Sequence, residues 1–373
     1  MNSPGWVSAI MPAPRRDQVK LLRTAASEVM TKLLKRFRLW WRIAAKAPRA
    51  LLNVERPILV HLIVTRRCNL DCGYCNEYDQ VSRPVPLELL AKRVDRLAEL
   101  GTVAITLSGG EPLLHPRLEE IVMRIASRRM IVTLISNGYL LSRERIESLN
   151  LAGLDHLEIS IDNVEPDAVS RKSLRLLEPK LRWLAEHARF SVAINSVVGS
   201  GVAQPEDALT IARRARELGF MSSVGIVHDG EGQLQPLRLR EMEVYRALKR
   251  LEGGLLGRIN GRFQSNLAHG RPNDWRCRAG ARYLYVDESG LVHYCSQQRG
   301  TPGVALDEYT RAHIRRELRV PKACAPYCTI NCVQQISLID AWRAPQAAAD
   351  AWRPARPVAS REPARSSARE AEG

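Results

Sequence analysis

The pattern of apolar residues changes along the chain, and its longest regular stretch runs from about residue 57 to 230. There, short aliphatic and β-branched runs alternate with longer segments whose apolar residues recur every three or four positions. The short runs predict buried strands and the longer segments predict amphipathic helices. Strands that alternate with helices are typical of a parallel sheet with right-handed crossovers. This stretch therefore predicts an α/β fold.

Six strand-then-helix units are predicted in this stretch. The predicted strands are 58–64, 103–107, 130–135, 156–161, 190–198 and 222–227. The predicted helices are 87–101, 116–129, 143–151, 166–188, 205–219 and 238–252. A complete TIM barrel needs eight units. We therefore expect an open or partial (β/α)6 TIM-type barrel.

The N-terminal stretch predicts one long amphipathic helix over residues 15–47, ended by Pro48. Its apolar stripe lies opposite a face filled with Lys and Arg. The helix could pack against the barrel. It could also lie on a membrane surface, because Trp40 and Trp41 beside a cationic face are typical of such helices. Nucleic acid binding is a third and disfavoured interpretation.

Beyond about residue 236 the alternation of strands and helices ends, and after one helix the chain becomes rich in glycine. Residues 283–295 predict a hairpin that turns at Glu288-Ser289-Gly290. The Ala, Pro, Arg and Ser mixture after Trp342 predicts a disordered tail. The predicted parts are an N-terminal helix region 1–52, a barrel 53–235, a small cysteine-bearing domain 236–342 and a tail 343–373.

Composition narrows the setting of the protein. The chain has 373 residues, 45% of them hydrophobic, and it contains neither an apolar run long enough to span a membrane nor a signal-peptide pattern. We expect a cytoplasmic protein, with residues 15–47 as the possible contact to the inner membrane surface. The net charge of +16 raises nucleic acid as a partner. Much of that excess is concentrated between Arg15 and Arg49, so nucleic acid stays unlikely.

The eight cysteines are clustered at short spacings that suit metal binding better than a disulfide framework. Cys68, Cys72 and Cys75 follow the first predicted strand, at the barrel face where such folds carry their chemistry. A structural zinc would need a fourth ligand, and no histidine lies in this loop. A cubane iron–sulfur cluster held by three cysteines would leave one iron open.

This loop, with Tyr74 before the last cysteine, resembles the CxxxCxxC signature of the radical S-adenosylmethionine (SAM) enzymes. The stretches "SGGEPLL" (108–114), "SNG" (136–138) and "SID" (160–162) resemble further family elements, each after the expected strand. The resemblance covers about residues 57 to 230. It implies SAM-binding roles for Tyr74, Gly109, Gly110, Glu111, Pro112, Ser136, Asn137, Ser160, Asp162, Arg171 and Asn195.

Simple chemistry agrees with the GGEP part of this resemblance. Gly109 and Gly110 have no Cβ, so that backbone there can approach a ligand closely. Glu111 offers a carboxylate to the ammonium of SAM, and Pro112 fixes the turn that follows. Asn163 departs from the family pattern, in which many relatives have glycine after the aspartate.

The resemblance also implies a reaction and its partners. SAM would bind the open iron of a [4Fe–4S] cluster, and one electron from a donor such as flavodoxin or ferredoxin would cleave it to methionine and a 5′-deoxyadenosyl radical. That radical would take a hydrogen atom from a peptide, a sugar or a lipid-linked substrate, leading to oxidation, crosslinking or epimerisation. The alternative is a non-catalytic iron–sulfur or zinc scaffold or an electron-transfer protein, which would not need GGEP.

The C-terminal cysteines resemble the auxiliary-cluster domains called SPASM or twitch. Cys277 and Cys295, with Gly290 between them, match the opening of such a domain, and Cys324, Cys328 and Cys332 would close it. Five thiols fit one auxiliary [4Fe–4S] cluster with one thiol to spare. We expect Cys277, Cys295 and Cys332 to be ligands, and Cys324 rather than Cys328 to be the spare. Zinc remains an alternative at this second group.

Overall fold

The computed structural model describes most of the chain beyond residue 36. The described residues are 37, 39, 41–73, 75, 77–167, 170–199, 202–227, 234–251 and 255–341, with backbone alone at 255–260 and 262. Several predictions fall outside them: the helix before residue 37, Trp40, Tyr74, and the tail 343–373.

The strands are β1 Leu59–Thr65, β2 Ala104–Gly109, β3 Ile131–Ser136, β4 His156–Ser160, β5 Ser191–Gly199, β6 Met221–Val227, β7 Tyr283–Val286, β8 Leu291–His293 and β9 Pro302–Ala305. The helices are α1 41–52, α2 Leu87–Glu99, α3 Leu118–Ser127, α4 Arg143–Ala152, α5 Leu174–His187, α6 Asp207–Glu217, α7 Leu239–Leu251, α8 Leu255–Ala268, α9 Arg311–Arg319 and α10 Asn331–Leu338. All six predicted strands and their helices are present in the predicted order.

Within the described residues the strands form one sheet in the order β6-β5-β4-β3-β2-β1-β7-β8-β9. Every pairing from β6 to β7 is parallel, and β8 pairs antiparallel with both of its neighbours. The expectation of an open, partial (β/α)6 barrel is confirmed, and so is the hairpin of residues 283–295. The hairpin strand β7 lies against β1, so that the cysteine-rich segment extends the barrel sheet itself.

Successive residues of each strand face opposite sides of this sheet. On β4, Leu157 and Ile159 are fully buried in the main apolar core together with residues of the surrounding helices. The intervening residues therefore face the inside of the barrel. Ile63 of β1 and Tyr283 of β7 belong to a separate apolar cluster on this inner face.

The prediction that Pro48 ends the N-terminal helix is wrong, because α1 continues to residue 52. Its last turn is held by Arg282, a fully buried side chain that donates to the carbonyl oxygens of Ala50 and Asn53. Arg282 also forms a buried ion pair with Asp340 at 2.7 Å. These tertiary bonds to the helix end offset the local preference of proline for ending a helix.

Two further helices differ from the prediction: α5 begins later, and α8 was not predicted. α5 begins at Leu174 rather than at 166, because the chain before it forms a loop in which Asp162 N and Asn163 N both donate to Lys172 O. α8 was missed because its glycines suggested a loop. Phe263 and Leu267 of α8 are buried in a second core with α7, and this packing outweighs the low helix propensity of glycine.

Candidate active site and cysteine centres

The three-cysteine loop follows β1 directly and is closed by backbone hydrogen bonds at its base. Asp79 N donates to Arg66 O at 2.8 Å, and Cys68 N donates to Asp79 O at 3.0 Å. Inside the loop, Cys75 N donates to Cys72 O at 3.0 Å, which forms a tight turn between the last two cysteines. The loop is therefore a defined structure that presents its thiols at the carboxyl ends of the strands.

The three thiols are near neighbours. Burial, with smaller contributions from Glu111, Cys75 and Cys72, raises the pKa of the Cys68 thiol to about 11. Burial also raises the pKa of Cys75. Leu70 N lies 3.4 Å from Cys68 Sγ and donates to it, a contact that favours the thiolate. Positive charge at this point, such as iron, would release the thiol protons.

Among the described residues, no three Cys, His, Asp or Glu side chains form a group that could hold a single metal ion. In a cubane cluster each cysteine binds a different iron, so that the ligand sulfurs do not meet at one point. The donor set of the loop, three thiols and no histidine, fits such a cluster with one iron left without a protein ligand.

The two glycines of GGEP lie against the cysteine loop. A Cβ on Gly109 would stand 2.1 Å from Thr65 O, and one on Gly110 would stand 2.3 Å from Arg66 O. Gly109 also has a φ of 129°, which only glycine adopts easily. Gly110 N donates to Thr65 O at 2.9 Å. Glycine is required here because the end of β2 packs on the start of the loop, which the sequence had not indicated.

Glu111 is fully buried, and donors of the chain itself surround its carboxylate. Leu113 N lies 2.9 Å and Ser136 Oγ 2.8 Å from Oε1, while Asn137 N lies 2.8 Å from Oε2. Burial raises the pKa of Glu111, and these three hydrogen bonds oppose the rise. The side chain therefore ties the GGEP turn to the SNG loop, in addition to any role toward a ligand.

The SNG loop in turn reaches the first cysteine. Asn137 Nδ2 donates to Asn69 Oδ1 at 2.8 Å and lies 3.9 Å from Cys68 Sγ. Ser136 Oγ accepts from Gly138 N at 2.9 Å while donating to Glu111. The predicted GGEP, SNG and cysteine elements thus form one hydrogen-bonded unit.

The loop after β4 approaches the second cysteine. Ser170 Oγ lies 3.6 Å from Cys72 Sγ and donates to Asp162 Oδ2 at 2.7 Å. Lys172 Nζ lies 3.7 Å from the same carboxylate oxygen. Arg171 is largely exposed, with its guanidinium 3.4 Å from Asp71 inside the cysteine loop. Asp162 and Arg171 are thus both near this loop, although each already has a partner in the chain.

Ser160 and Asn195 are in register on neighbouring strands, and both face inward. Ser223 of β6 lies beside Asn195 and donates to its Oδ1 at 2.9 Å. The sequence identified the first two residues and missed Ser223. Asn69, Ser170 and Lys172 were missed as well, and their proximity to the cysteines depends on loop paths that no spacing rule predicts.

Four of the C-terminal thiols form a second group. Cys277, Cys295, Cys324 and Cys328 each interact electrostatically with the other three. Burial raises the pKa of Cys277 to about 11 and that of Cys295 to about 12, and the neighbouring thiols add to both. The four come from three separate segments. Cys277 and Cys295 belong to an apolar cluster with Tyr283 and Ala325, and Cys332 packs against the same cluster.

Cys332 has different electrostatic partners. Burial raises the pKa of its thiol to about 12, and its neighbours are the Tyr283 hydroxyl, to which it is hydrogen bonded, and the Glu158 carboxylate inside the barrel. The grouping of the thiols therefore favours Cys332 as the spare cysteine, whereas the sequence had favoured Cys324.

A polar network connects the two cysteine regions. Glu77, two residues after Cys75, accepts a hydrogen bond from the Tyr285 hydroxyl of β7. Arg299 donates to the same hydroxyl at 3.1 Å and binds both oxygens of Glu288 at 2.8 Å. The loop that holds the first thiols is thus fixed to the hairpin that holds Cys295.

Comparison with known proteins supports this arrangement. The family profile described as the radical SAM superfamily matches residues 62–233. A PqqA peptide cyclase of Gluconobacter oxydans is 30% identical over 268 residues, 65% of this chain and 71% of that protein. A GTP 3′,8-cyclase of Aquifex aeolicus is 33% identical over 196 residues, which are 48% of this chain and 61% of that protein. A PqqA peptide cyclase of Granulibacter bethesdensis is 32% identical over 122 residues, only 33% of its length.

Solved structures show the same fold. Streptococcus suis SuiB bound to its precursor peptide SuiA superposes with a TM-score of 0.54 at 14% identity, covering 87% of this chain and 77% of SuiB. The structure of anSMEcpe with bound AdoMet and a Cp18Cys peptide superposes with a TM-score of 0.50 at 16% identity. The match covers 72% of this chain and 85% of anSMEcpe. The chain belongs to the radical SAM superfamily.

Proposed function

We propose that this protein reductively cleaves SAM at a [4Fe–4S] cluster held by Cys68, Cys72 and Cys75, and that it then takes a hydrogen atom from a peptide. One observation carries the proposal: the cysteine loop, the GGEP turn and the SNG loop are joined by hydrogen bonds into one unit at the strand ends. A carrier that only transfers electrons would need the thiols but not the other two elements.

The bound cluster and SAM supply the one-electron cleavage of the sulfonium and the radical that abstracts hydrogen. The residues of the chain hold the cysteine loop and the neighbouring loops in position. Gly109 and Gly110 let β2 hold the cysteine loop in place, and Glu111 fixes the two loops beside it. Asn137 and Ser170 place polar atoms next to Cys68 Sγ and Cys72 Sγ, where they can orient both these sulfur atoms and a bound ligand.

A peptide is the substrate class with the most support. The curated relatives include peptide cyclases, and the two structural relatives were solved with peptides bound. Sugar and lipid-linked substrates have no comparable support.

An auxiliary [4Fe–4S] cluster on Cys277, Cys295, Cys324 and Cys328 completes the proposal. Four mutually adjacent thiols satisfy all four irons of a cubane. The domain that we assign to this cluster, residues 236–342, shares its sheet with the barrel through the β1–β7 pair.

The test is SAM turnover by anaerobically reconstituted protein. With SAM and dithionite, the wild type should release 5′-deoxyadenosine and methionine in equal amounts, while Cys72→Ala should give only background. Zinc as the sole metal of anaerobically purified protein, or full turnover by Cys72→Ala, would contradict the proposal.

For the setting of the protein we infer an electron donor of the flavodoxin or ferredoxin type and a peripheral contact with the membrane. Phe37 and Trp41 are 64% and 65% exposed and stack with ring centroids 6.3 Å apart. The other side of α1 binds the barrel base, since Arg42 pairs with Asp155 and donates to Met130 O at 3.0 Å. None of the described helices is long and apolar enough to cross a bilayer.

Vesicle sedimentation tests the membrane contact without disturbing the barrel. In low salt, the Phe37→Ala/Trp41→Ala double variant should bind anionic vesicles more weakly than the wild type. Leu151→Ala is the matched control, since Leu151 is 81% exposed on α4. Equal binding by all three proteins would refute the contact.

A further inference from the structure

Within the described strands, the inner face of the barrel carries one acidic side chain. Leu157 and Ile159 are buried against the helices, so Glu158 between them faces inward. Its partners in register are Ile135 on β3 and Ala193 on β5. On the inward-facing positions of the described strands β1 to β7, Glu158 is the only carboxylate.

This carboxylate has no counter-charge from the chain. No hydrogen bond or ion pair to it is found among the described residues, and burial alone raises its pKa to about 7. Burial likewise lowers the pKa values of His61 and His156, the inward-facing histidines of β1 and β4, to about 4, so that both are neutral near pH 7. Lys172 is paired with Asp162 at the barrel mouth.

Glu158 lies just below the predicted SAM-binding residues. It precedes Ser160 by two residues on the same face, which places it about 7 Å deeper along β4. Cys332 of the C-terminal segment lies near it, and the Tyr283 hydroxyl is hydrogen bonded to Cys332. A group bound at Glu158 would therefore lie inside the barrel, between the candidate SAM site and the segment that follows the auxiliary thiols.

Glu158 keeps part of its surface accessible inside the barrel. A carboxylate that is largely removed from water and has no partner is unfavourable in its charged form, and a bound cation removes that cost. An anionic ligand group would be repelled, and an apolar one would leave the carboxylate unpaired. We propose that Glu158 is a specificity-determining residue that binds a cationic side chain, lysine or arginine, of the peptide substrate inside the barrel. This inference rests on the proposed peptide substrate and adds the chemistry that the peptide must carry.

Direct binding to the holoenzyme with SAM tests the assignment. The probes are three blocked pentapeptides, Gly-Ala-Lys-Ala-Gly and its versions with Leu or Glu at the centre, together with n-butylamine as the bare cation. The wild type should bind the Lys peptide at least about tenfold more tightly than the other two. Glu158→Gln should remove that preference, and Glu158→Lys should reverse it toward the Glu peptide.

Matched controls distinguish the loss of the Glu158 charge from misfolding or loss of the clusters. Glu99→Gln changes an exposed carboxylate that pairs with Arg96 and should keep the wild-type preference. Iron content reports whether each variant keeps its clusters, and Glu158→Gln preserves the shape of the side chain should Glu158→Lys fail to fold.

The outcomes distinguish the two proposals. Equal affinity of the wild type for all three peptides would overturn the cation site and leave the peptide assignment standing. Binding of n-butylamine that depends on Glu158, without binding of any peptide, would support the cation site and overturn the peptide assignment. A Lys preference that survives in Glu158→Gln would overturn the inference, and binding of no probe at all would overturn both.

Discussion

The two cysteine regions are built in opposite ways. Cys68, Cys72 and Cys75 come from one loop, and polar groups such as Asn137 and Ser170 lie next to them. The four thiols that we assign to the auxiliary cluster come from three distant segments, and two of them, Cys277 and Cys295, belong to an apolar cluster of the inner barrel face. The first region offers polar partners for a ligand. The second provides as many thiols as a cubane has irons and offers a ligand no open position.

This difference bears on what each centre can do. A cluster with an open iron can bind a substrate-like molecule directly, whereas a fully ligated cluster enclosed by apolar side chains is suited to electron transfer. The network of Glu77, Tyr285 and Arg299 fixes the two regions to each other, so that their relative position is set by the fold.

The largest expected effect comes from removing the first centre altogether. The triple variant Cys68→Ala/Cys72→Ala/Cys75→Ala should release no 5′-deoxyadenosine, yet it should keep about four irons per chain, as expected for one cubane. Iron analysis and electron paramagnetic resonance after reduction would check both points. About eight irons would mean two auxiliary clusters, and zinc in their place would make the second region structural.

Within that triple variant, single changes distinguish ligands from the spare thiol. Cys328→Ala should lose the remaining iron, because Cys328 interacts with the other three thiols of its group. Cys332→Ala is the matched change four residues away and should keep it, since Cys332 faces Tyr283 and Glu158. Iron loss in Cys332→Ala but not in Cys324→Ala would restore the assignment favoured by the sequence.

The sequence predicted the local region better than the distributed one. Hydrophobic periodicity located every barrel strand, and the spacing of three cysteines with GGEP in register predicted a first centre whose elements lie together in the fold. Both signals are short-range: a strand or a metal loop is encoded within a few residues. The hairpin at Glu288-Ser289-Gly290 was predicted for the same reason.

What the sequence missed depends on contacts between distant segments. The assignment of the C-terminal thiols depends on how β7, α10 and the segment between α9 and α10 meet, which linear spacing does not encode. Pro48 did not end α1, because Arg282, far along the chain, holds the last helical turn. Glu111 was read as a ligand group alone, whereas its three bonds within the chain became visible only in the fold.

A smaller effect should follow from Glu111→Gln, which tests how far the first region depends on its own hydrogen bonds. The new amide would turn an NH₂ group toward the Asn137 N–H or the Leu113 N–H, leaving one buried donor without an acceptor. We expect a loss of about 2 kcal/mol in the free energy of unfolding and weaker SAM binding, with the loop iron retained. Anaerobic urea titration and equilibrium dialysis would measure these.

The matched control for that change is Glu120→Gln, which alters an exposed carboxylate paired with Arg117 at 2.7 Å and should leave both measurements unchanged. Loss of the loop iron with unchanged SAM affinity would show that Glu111 serves the cluster rather than the ligand.

The smallest expected effect concerns the barrel interior next to the second region. His61 faces inward on β1, and its ring centroid lies 5.2 Å from that of Tyr283. Burial lowers the pKa of His61 to about 4, below its value of about 6.5 in the unfolded chain. The folded state therefore binds fewer protons than the unfolded state, and stability is lost as the pH falls below about 6.5.

Between pH 7.5 and 5.5, the wild type should lose about 1 kcal/mol of unfolding free energy more than His61→Phe does. Thr106→Val, another inward-facing change but of a residue that does not titrate, should retain the wild-type pH dependence in the same urea titrations. If His61→Phe retains it as well, the imidazole is protonated inside the fold, and the barrel interior at this layer is wetter than the second cysteine region beside it.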